Sequence, residues 1–396
     1  MVQHFSPPEP AGHGLRVLTF LHSFEPGGVE RIALRLVRRW RELGVDAPLF
    51  IGRLDGAMRH DVGAGLDVIS PPPPRFGSAR WETLWMIRAL PRAIREQRPD
   101  ILFCAGNTYA IVAIAMRLLL GRKCPPILAK ISNDLDRSDM PKAGRASYHF
   151  WLRMKGKAFD HVVSMDDPMV AEIRDRLGIP LTRITTIPDP ALTTALIARL
   201  RARPSAPVDR LPGRRFVAVG RLAPQKNIAM MLRAFARGAQ EADRLVLIGD
   251  GPERPKLEAL AARLGLRDRI DFRGYMPDPA SLLHEFDTLL LSSNYEGVPA
   301  VVLEALAAKL SIIATDCSRS MQALLKGGKL GELVAVGDET MFAQAIARSG
   351  KGCQCDHLSL AQAERFTLER AAGLYVATMS QLRRMSVKGK IFAPAN

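Results

Sequence analysis

Two carboxylates, Glu296 and Glu304, lie in the stretch of the chain best suited to chemistry. The apolar run 286–293 predicts a strand, and the run 301–310 predicts a helix that carries Glu304 about two turns in. Glu296 is therefore expected in a loop at the carboxyl end of a strand, the edge where open α/β sheets bind ligands. The start of the following helix offers free backbone N–H groups and the positive end of a dipole, which suit an anion.

Glu304 admits two interpretations. It could be a solvated residue on a surface helix. Its neighbours Val301 to Leu303 and Ala305 to Ala307 are all apolar, which favours a packed helix. A carboxylate in such a helix needs hydrogen-bonding partners, and ligand hydroxyls are natural ones.

Two cations, Arg221 and Lys226, follow an earlier predicted strand that ends at Gly220. The carboxyl ends of parallel strands share one edge, so both are expected on the same side as Glu296. Arg can bind a phosphate bidentately and Lys acts as a point charge, so the two could neutralise a diphosphate. Taken alone they could equally be solvated surface residues; the glutamates downstream favour the binding hypothesis.

Gly27 and Gly28 separate the first predicted strand from the first predicted helix. A glycine pair there lets backbone N–H groups approach a phosphate closely. The pair does not belong to a G-x-G-x-x-G dinucleotide fingerprint. Residues 249–252 form a similar turn, which can be read equally as a tight turn before a helix.

The gross composition indicates a two-domain globular protein, because 396 residues exceed one ordinary core. A net charge of +16 suits polyanionic partners. Nucleic acid is disfavoured, since the basic residues are spread along the chain without an RNA-binding or zinc-finger pattern. Five cysteines and the lack of an apolar secretory signal at the N-terminus predict a cytoplasmic protein.

Strand and helix patterns alternate through two stretches of the chain, which predicts parallel sheets covered on both faces. We expect an α/β protein with an N-terminal Rossmann-like domain over 1–189, a linker over 190–214 and a second Rossmann-like domain over 215–365. Residues 366–396 are expected to form a helix and tail that pack back toward the first domain. Two doubly wound domains in tandem predict a cleft between them.

Four motifs occur in order: Gly-Gly-Val-Glu-Arg at 27–31, Gly-Arg-Leu-x-Pro-Gln-Lys-Asn at 220–227, Ile-Gly-Asp-Gly-Pro at 248–252, and Tyr-Glu-Gly-x-Pro-x-x-x-Leu-Glu-Ala at 295–305. This set resembles the retaining nucleotide-sugar glycosyltransferases of glycosyltransferase family 4, which have the GT-B fold of two Rossmann-like domains facing across a cleft. The resemblance spans roughly residues 15 to 340, and the second-domain motifs are the more specific.

The resemblance implies a donor held mainly by the second domain and an acceptor bound mainly by the first. Arg221 and Lys226 match residues that hold the diphosphate, Glu304 matches the one that binds the ribose, and Glu296 matches the one beside the transferred sugar. The remaining donor contacts that the resemblance implies are Gly27 and Gly28 across the cleft, Gly220, the sugar-binding turn Gly297, Val298, Pro299 and Ala300, and Tyr275 and Met276 near the base.

The resemblance also implies retention of anomeric configuration, no metal and no other cofactor, with the leaving phosphate taking the acceptor proton. Arg221, Lys226 and the helix start near residue 298 are expected to stabilise the charge that grows on the leaving group. Uridine diphosphate is the favoured carrier because it is the commonest in such families. An Asp-x-Asp at 134–136 has the form of a manganese signature, but such short acidic matches are common by chance.

The loop at residues 130–134 lacks the His that many family members carry near the sugar. Asn133 or Asp134 is the candidate for a replacing polar contact on the acceptor side.

The main hypothesis is therefore a hexosyltransferase that acts on a glycan or lipid-linked acceptor in surface polysaccharide or lipopolysaccharide biosynthesis. The alternatives are a non-catalytic sugar-nucleotide-binding scaffold and a GT-B-like nucleotide-sugar epimerase. Five arginines in the first predicted helix indicate either docking on an anionic cytoplasmic membrane face or a solvated basic surface. They are Arg31, Arg35, Arg38, Arg39 and Arg41.

Overall fold

The computed structural model describes residues 14–25, 27–59, 63–72, 81–132, 135, 142–202, 212–350 and 356–387. The chain divides into two compact units. The first combines Met1–Pro190 with Leu368–Asn396, and the second is Ala191–Thr367.

The first unit is built on a seven-stranded sheet in which all paired strands are parallel. Its order is β3-β2-β1-β4-β5-β6-β7, so the strand sequence reverses between β1 and β4. The strands are β1 Val17–Leu21, β2 Leu49–Ile51, β3 Val68–Ile69, β4 Ile101–Cys104, β5 Ile127–Lys130, β6 His161–Ser164 and β7 Ile184–Thr186.

Six helices in the described part of the chain cover this sheet in two layers. The chain crosses from β1 to β2 in one direction along the sheet, and from β4 to β5, β6 and β7 in the other. Because every such crossover is right-handed, the connecting helices of the two groups lie on opposite faces of the sheet. Accordingly α2, α3, α4 and α5 each contact the next, while α1 contacts α13. These helices are α1 Gly28–Glu42, α2 Glu82–Gln97, α3 Ala110–Leu120, α4 Lys142–Ala158, α5 Met169–Leu177 and α13 Leu368–Val387.

An aromatic cluster in the first unit joins both ends of the chain. The ring of Trp40 in α1 packs edge-on against Phe103 of β4, with centroids 5.1 Å apart. Tyr375 of α13 lies 5.6 Å from each of these rings. All three side chains are fully buried, so α13 is part of this core although it follows the whole second unit in sequence.

The second unit has a six-stranded parallel sheet in the order β10-β9-β8-β11-β12-β13. Its strands are β8 Arg215–Val219, β9 Arg244–Ile248, β10 Ile270–Gly274, β11 Thr288–Leu291, β12 Ser311–Thr315 and β13 Glu332–Val334. Its helices are α6 Thr194–Ala202, α7 Ile228–Gly238, α8 Arg254–Arg263, α9 Ala300–Ala307, α10 Ser320–Leu324, α11 Glu339–Arg348 and α12 Asp356–Glu364. Phe216 of β8 and Phe235 of α7 pack edge-on in its core, with centroids 5.5 Å apart.

These two parallel sheets confirm the predicted fold class. The prediction that Glu304 lies about two turns into its helix was wrong: α9 begins at Ala300, so Glu304 is just over one turn in. Residues Pro279–Glu285 form a 3-10 helix. The segment 190–214, predicted as a linker, contains α6.

Among the described residues, the structure contains no helix both long enough and apolar enough to cross a bilayer.

Candidate functional site

The candidate site lies at the carboxyl ends of β8 and β11, the neighbouring strands between which the order of the second sheet reverses. Loops that leave such neighbours turn to opposite faces and open a crevice, which is where open α/β sheets bind ligands. Lys226 follows β8 and Glu296 follows β11. The fold therefore brings the two predicted residues to one crevice.

Lys226 and Glu296 form an ion pair there, with 2.6 Å between Nζ and Oε1. Their side chains are only 19% and 12% exposed, so the pair is shielded from most solvent screening. The hydroxyl of Ser293 donates to the same Oε1 at 2.7 Å. Among the described residues no hydrogen bond reaches Oε2, which leaves that oxygen for a ligand hydroxyl.

Hydrogen bonds between the two loops hold this pair in place. Ser292 donates from its hydroxyl to the carbonyl of Lys226 at 2.8 Å. The backbone N–H of Asn294 donates to the carbonyl of Gln225 at 2.8 Å. Asn227, whose left-handed φ of 46° turns the chain into α7, donates from its side chain to Asn294 Oδ1 at 3.1 Å.

Two glycines form the wall behind Lys226. Gly220 has a φ of +151°, and a Cβ placed on it lies 3.1 Å from Cε of Lys226. Gly249, after β9, has a φ of +143°, and its added Cβ lies 2.0 Å from the carbonyl oxygen of Gly220. Both positions therefore need glycine, and a small pocket beside them is lined by Gly220, Lys226, Ser292 and Ser293.

The remaining residues assigned to diphosphate, ribose and sugar follow β8 or lie in the turn and helix after β11. Arg221 is exposed next to Gly220, and Glu304 is half-buried in α9. The turn Gly297, Val298 and Pro299 is buried, and Ala300 is the exposed first residue of α9. The hydroxyl of Ser318 donates to the carbonyl of Gly297 at 2.8 Å, which anchors the turn from the loop after β12.

Helix α9 begins at Ala300 with Pro299 as its N-cap, one residue before the predicted run 301–310 and two residues after residue 298, where the charge-stabilising helix start was expected. Pro299 has no N–H to donate, and the N–H of Val302 donates to the Pro299 carbonyl at 3.1 Å, so the first N–H groups of the helix that could reach a ligand belong to Ala300 and Val301.

Tyr275 and Met276, assigned to the base, follow β10 at the same sheet edge. The Tyr275 ring is 59% exposed, so it is open to stacking. Three strand spacings separate β10 from β11 in this sheet, which corresponds to about 14 Å.

Gly27 and Gly28 belong to the first unit, where they cap and begin α1 at the β1–β4 reversal. Glu30 follows in the first turn of α1 and accepts a hydrogen bond from the Tyr109 hydroxyl at 2.6 Å. The His22 ring lies 4.8 Å from that of Tyr109, and burial lowers the His22 pKa, so its imidazole is neutral near pH 7. Asn133 and Asp134 lie outside the described residues.

Sequence reasoning missed Ser293, Ser318 and the Glu30–Tyr109 contact. Serine is too common in loops to signal a role. Glu30 stands inside one of the quoted motifs, but nothing in the sequence pairs it with a tyrosine 79 positions away.

Cys317, beside Glu296, is a poor nucleophile. Its carbonyl accepts the Glu296 backbone N–H at 3.1 Å. Burial raises the pKa of its thiol to about 12, so the thiol stays protonated at neutral pH.

Two family models match the two halves of the chain. The model described as Glycosyltransferase Family 4 matches residues 26–191, and the model described as Glycosyl transferases group 1 matches residues 213–349. Two lipopolysaccharide core biosynthesis glycosyltransferases of Rhizobium meliloti are similar along most of their length. LpsE is 26% identical to this chain, and the match covers 83% of this chain and 87% of LpsE. LpsD is 28% identical, and the match covers 83% of this chain and 86% of LpsD.

Solved structures of the same fold cover nearly the whole chain. The lipopolysaccharide outer core galactosyltransferase WaaB superposes with a TM-score of 0.68 at 20% identity, over 92% of this chain and 99% of its own. HepE of Anabaena, in complex with UDP-glucose, superposes with a TM-score of 0.64 at 18% identity. The match covers 94% of this chain and 99% of HepE. The two glycosyltransferase models, which together match most of the chain, and the two reversed parallel sheets identify the chain as a family 4-type glycosyltransferase with the GT-B fold.

Proposed function

We propose that the chain transfers a hexose from a nucleoside-diphosphate donor to a glycan or lipid-linked acceptor, with retention of anomeric configuration and without a metal. The observation that carries this proposal is the shielded Lys226–Glu296 pair at the sheet reversal. It supplies a cation for the diphosphate and a carboxylate oxygen for the sugar within one crevice.

Uridine diphosphate is the proposed carrier. Support comes from HepE, which was solved with UDP-glucose. Tyr275 follows β10 and Lys226 follows β8, two strand spacings or about 10 Å apart, which leaves room for a base near Tyr275 while the diphosphate lies against Lys226. Glu304, in α9, is the proposed acceptor of the ribose hydroxyl hydrogen bonds.

The proposed reaction breaks the bond between the anomeric carbon and the β-phosphate oxygen, and forms a bond from that carbon to the acceptor oxygen on the same face. The acceptor proton passes to the leaving phosphate. Lys226, Arg221 and the N–H groups at the start of α9 stabilise the charge that develops on that phosphate. One such positioned donor contributes about 2.7–4 kcal/mol to lowering the barrier.

Glu296 orients the sugar and the cation together. Because Ser293 and Lys226 both bind its Oε1, the carboxylate is held in one orientation, and Oε2 is the proposed acceptor of a hydrogen bond from a sugar hydroxyl. Preorganisation of this kind costs no rearrangement at the moment of reaction.

Metal independence rests on these fixed positive groups. Among the described residues there is no cluster of three or more His, Cys, Asp or Glu side chains that could hold a metal ion. Asp134 and Asp136 lie outside them.

The proposed setting is polysaccharide or lipopolysaccharide assembly in the cytoplasm, with peripheral contact to the inner membrane face. The Rhizobium relatives are named for lipopolysaccharide core biosynthesis. Two Campylobacter jejuni relatives, 29% and 27% identical over parts of this chain, are named for transfer to diphospho-undecaprenol-linked sugars.

A thermal-shift panel of nucleoside diphosphates, followed by NMR of the product formed from the best donor, tests the proposal. A carrier present at about one hundred times its Kd adds about 2.7 kcal/mol to the free energy of unfolding. We expect UDP to stabilise the chain, the product to keep the donor's anomeric configuration, and turnover to survive EDTA. Activity that vanishes with EDTA and returns with manganese contradicts the metal-free mechanism, and an inverted product contradicts retention.

A further inference from the structure

The outer surface of the α2–α3–α4 layer carries large apolar side chains in open solvent. Leu118 and Leu119 at the end of α3 are 73% and 62% exposed, and Phe150 in the middle of α4 is 70% exposed. Leu84 of α2 and Ile111 of α3 are also exposed. Since α3 contacts both α2 and α4, these side chains share one face of the first unit, which we call the α2–α4 face.

The α3 helix is apolar on both sides. Its sequence has one charged residue, Arg117, which pairs with Asp160 and is mostly buried. Val112, Ala113 and Met116 point to the core, and yet Ile111 and Leu118, seven residues apart and so on one side, point outward. A surface helix of a soluble protein normally has a polar outer face, so this one indicates a partner.

Exposed cations lie on or directly after the same three helices. Arg122 and Lys123 are exposed directly after α3. Arg88 and Arg95 are exposed on α2, and Arg153 and Lys157 on α4. The α3 and α4 sequences contain no acidic residue, and in α2 the acids are Glu82 and Glu96, which pair with Arg53 and Arg92.

The arginines of α1 are engaged differently. Arg39 pairs with Glu42 at 2.6 Å, Arg41 with Asp67 at 3.6 Å, and Arg38 donates to the carbonyl of Ala64. The outward side chains of α1 are therefore tied to neighbouring groups, and α1 lies on the opposite face of the sheet from α3. The α2–α4 face combines what α1 lacks, which is exposed apolar side chains beside exposed cations.

We propose that the α2–α4 face docks on an anionic lipid bilayer, with Leu118, Leu119 and Phe150 entering the headgroup boundary and the exposed cations on and directly after its helices contacting lipid phosphates. An apolar ridge flanked by Lys and Arg is the pattern of surfaces that lie in the plane of a membrane. Charge complementarity selects anionic lipid, because the face presents exposed cations and no exposed unpaired acid on α2, α3 or α4 among the described residues. The inference specifies the surface for the proposed peripheral location and does not depend on the donor chemistry.

Co-sedimentation with vesicles measures this directly. Vesicles of phosphatidylglycerol mixed with phosphatidylcholine are compared with phosphatidylcholine alone, at low and high salt. The wild-type chain is expected to bind the anionic vesicles and to be released by salt. The R122Q/K123Q variant is expected to bind about 25-fold more weakly, at about fivefold for each lost cation.

Apolar insertion is tested separately with L118S/L119S, which is expected to lose binding by at least tenfold even at low salt. L374S on α13 and R38Q on α1 are the matched controls, since both change exposed residues of the same unit on the other side of its sheet. They are expected to bind vesicles as the wild type does. Thermal melting of each variant without ligand shows whether it is folded. The further stabilisation by UDP, measured separately, keeps a failure of lipid binding distinct from a failure of the proposed transfer site.

Three results overturn the proposal: equal binding to neutral vesicles, binding unchanged in both double variants, or loss of binding in the L374S or R38Q control. Light scattering gives a further test. A wild-type dimer that L118S/L119S converts to a monomer assigns this face to a second copy of the chain instead of a membrane.

Discussion

The ammonium group of Lys226 lies 2.6 Å from Oε1 of Glu296, although 70 residues separate them in sequence. The contact exists because β8 and β11 are adjacent strands where the sheet order reverses. A cation and a carboxylate so placed can act on the two ends of one phosphosugar bond.

Removing the cation is expected to slow turnover far more than it weakens the fold. For K226M we expect kcat to fall by 10²–10³, because a positioned donor to the leaving group is lost. The matched variant K226R keeps the charge and is expected to retain more activity than K226M. Steady-state kinetics with thermal melting measures both effects; equal kcat in K226M and wild type contradicts the assignment.

Replacing Glu304 by Gln is expected to weaken nucleotide binding, because a charged hydrogen bond to the ribose is lost. A loss of about 1.5–3 kcal/mol corresponds to a Kd for UDP that rises by roughly 10- to 150-fold. Inorganic pyrophosphate lacks the ribose, so its Kd is expected to stay unchanged. Calorimetric titration of both ligands checks this, and a parallel loss for both indicates a structural role for Glu304.

Alanine at Gly249 is expected to destabilise the second unit and disturb the site. The added Cβ lies 2.0 Å from the carbonyl oxygen of Gly220, and the φ of +143° is unfavourable for alanine. Strain and overpacking together should lower the free energy of unfolding by about 2–4 kcal/mol. The control is G373A in α13. A Cβ added at Gly373 meets no atom of a neighbouring group within 4 Å, and the φ of this residue is not positive. It is expected to raise the free energy of unfolding by about 0.5–1 kcal/mol. Urea titrations that rank the two variants in the other order contradict this account.

His161 is expected to make folding stability fall in acid. Burial, with a smaller contribution from Arg183, lowers its pKa from 6.5 to about 4. The unfolded chain therefore binds a proton at a higher pH than the folded chain does, and stability decreases as the pH falls from 6.5 toward 4. Well above pH 6.5 the residue is neutral in both the folded and the unfolded state, so it does not contribute to the pH dependence of stability.

The variant H161Q keeps a side chain able to hydrogen-bond Thr185, the partner of His161 Nε2 at 2.8 Å. Its free energy of unfolding is expected to fall less between pH 6.5 and 4 than that of the wild type. After allowance for partial exposure, the difference should be on the order of 1–2 kcal/mol. The free energy of unfolding is measured by urea titration at several pH values. If it depends on pH equally in H161Q and in the wild type, the assignment is contradicted.

Much of the second-unit site could be predicted from sequence, because strand ends and glycine turns leave a local signal. Gly220 and Lys226 follow a clear apolar strand, and parallel topology alone places them at the edge that Glu296 occupies. Residue 298, where the charge-stabilising helix start was expected, lies instead in the turn before α9, because Pro299 has an extended N-cap conformation.

Other elements had no such signal. Helix α4 was not predicted, since Gly144 and Gly156 interrupt its pattern and buried Lys155 breaks its polarity. Ser293 reaches Glu296 only through the geometry of the loop after β11. The exposed face of α3 has no signal in the sequence either, because a run of apolar residues does not tell which side of a helix has a neighbour.

The position of Tyr375 has a consequence for synthesis on the ribosome. Trp40 and Phe103 are made early, but the ring that covers them belongs to a helix ending at Val387, so their cover is translated after the entire second unit. Until α13 has been synthesised, the sides of Trp40 and Phe103 that contact Tyr375 are not covered by that ring. A chain stalled before residue 368 should therefore expose it to chaperones, whereas the finished polypeptide seals it.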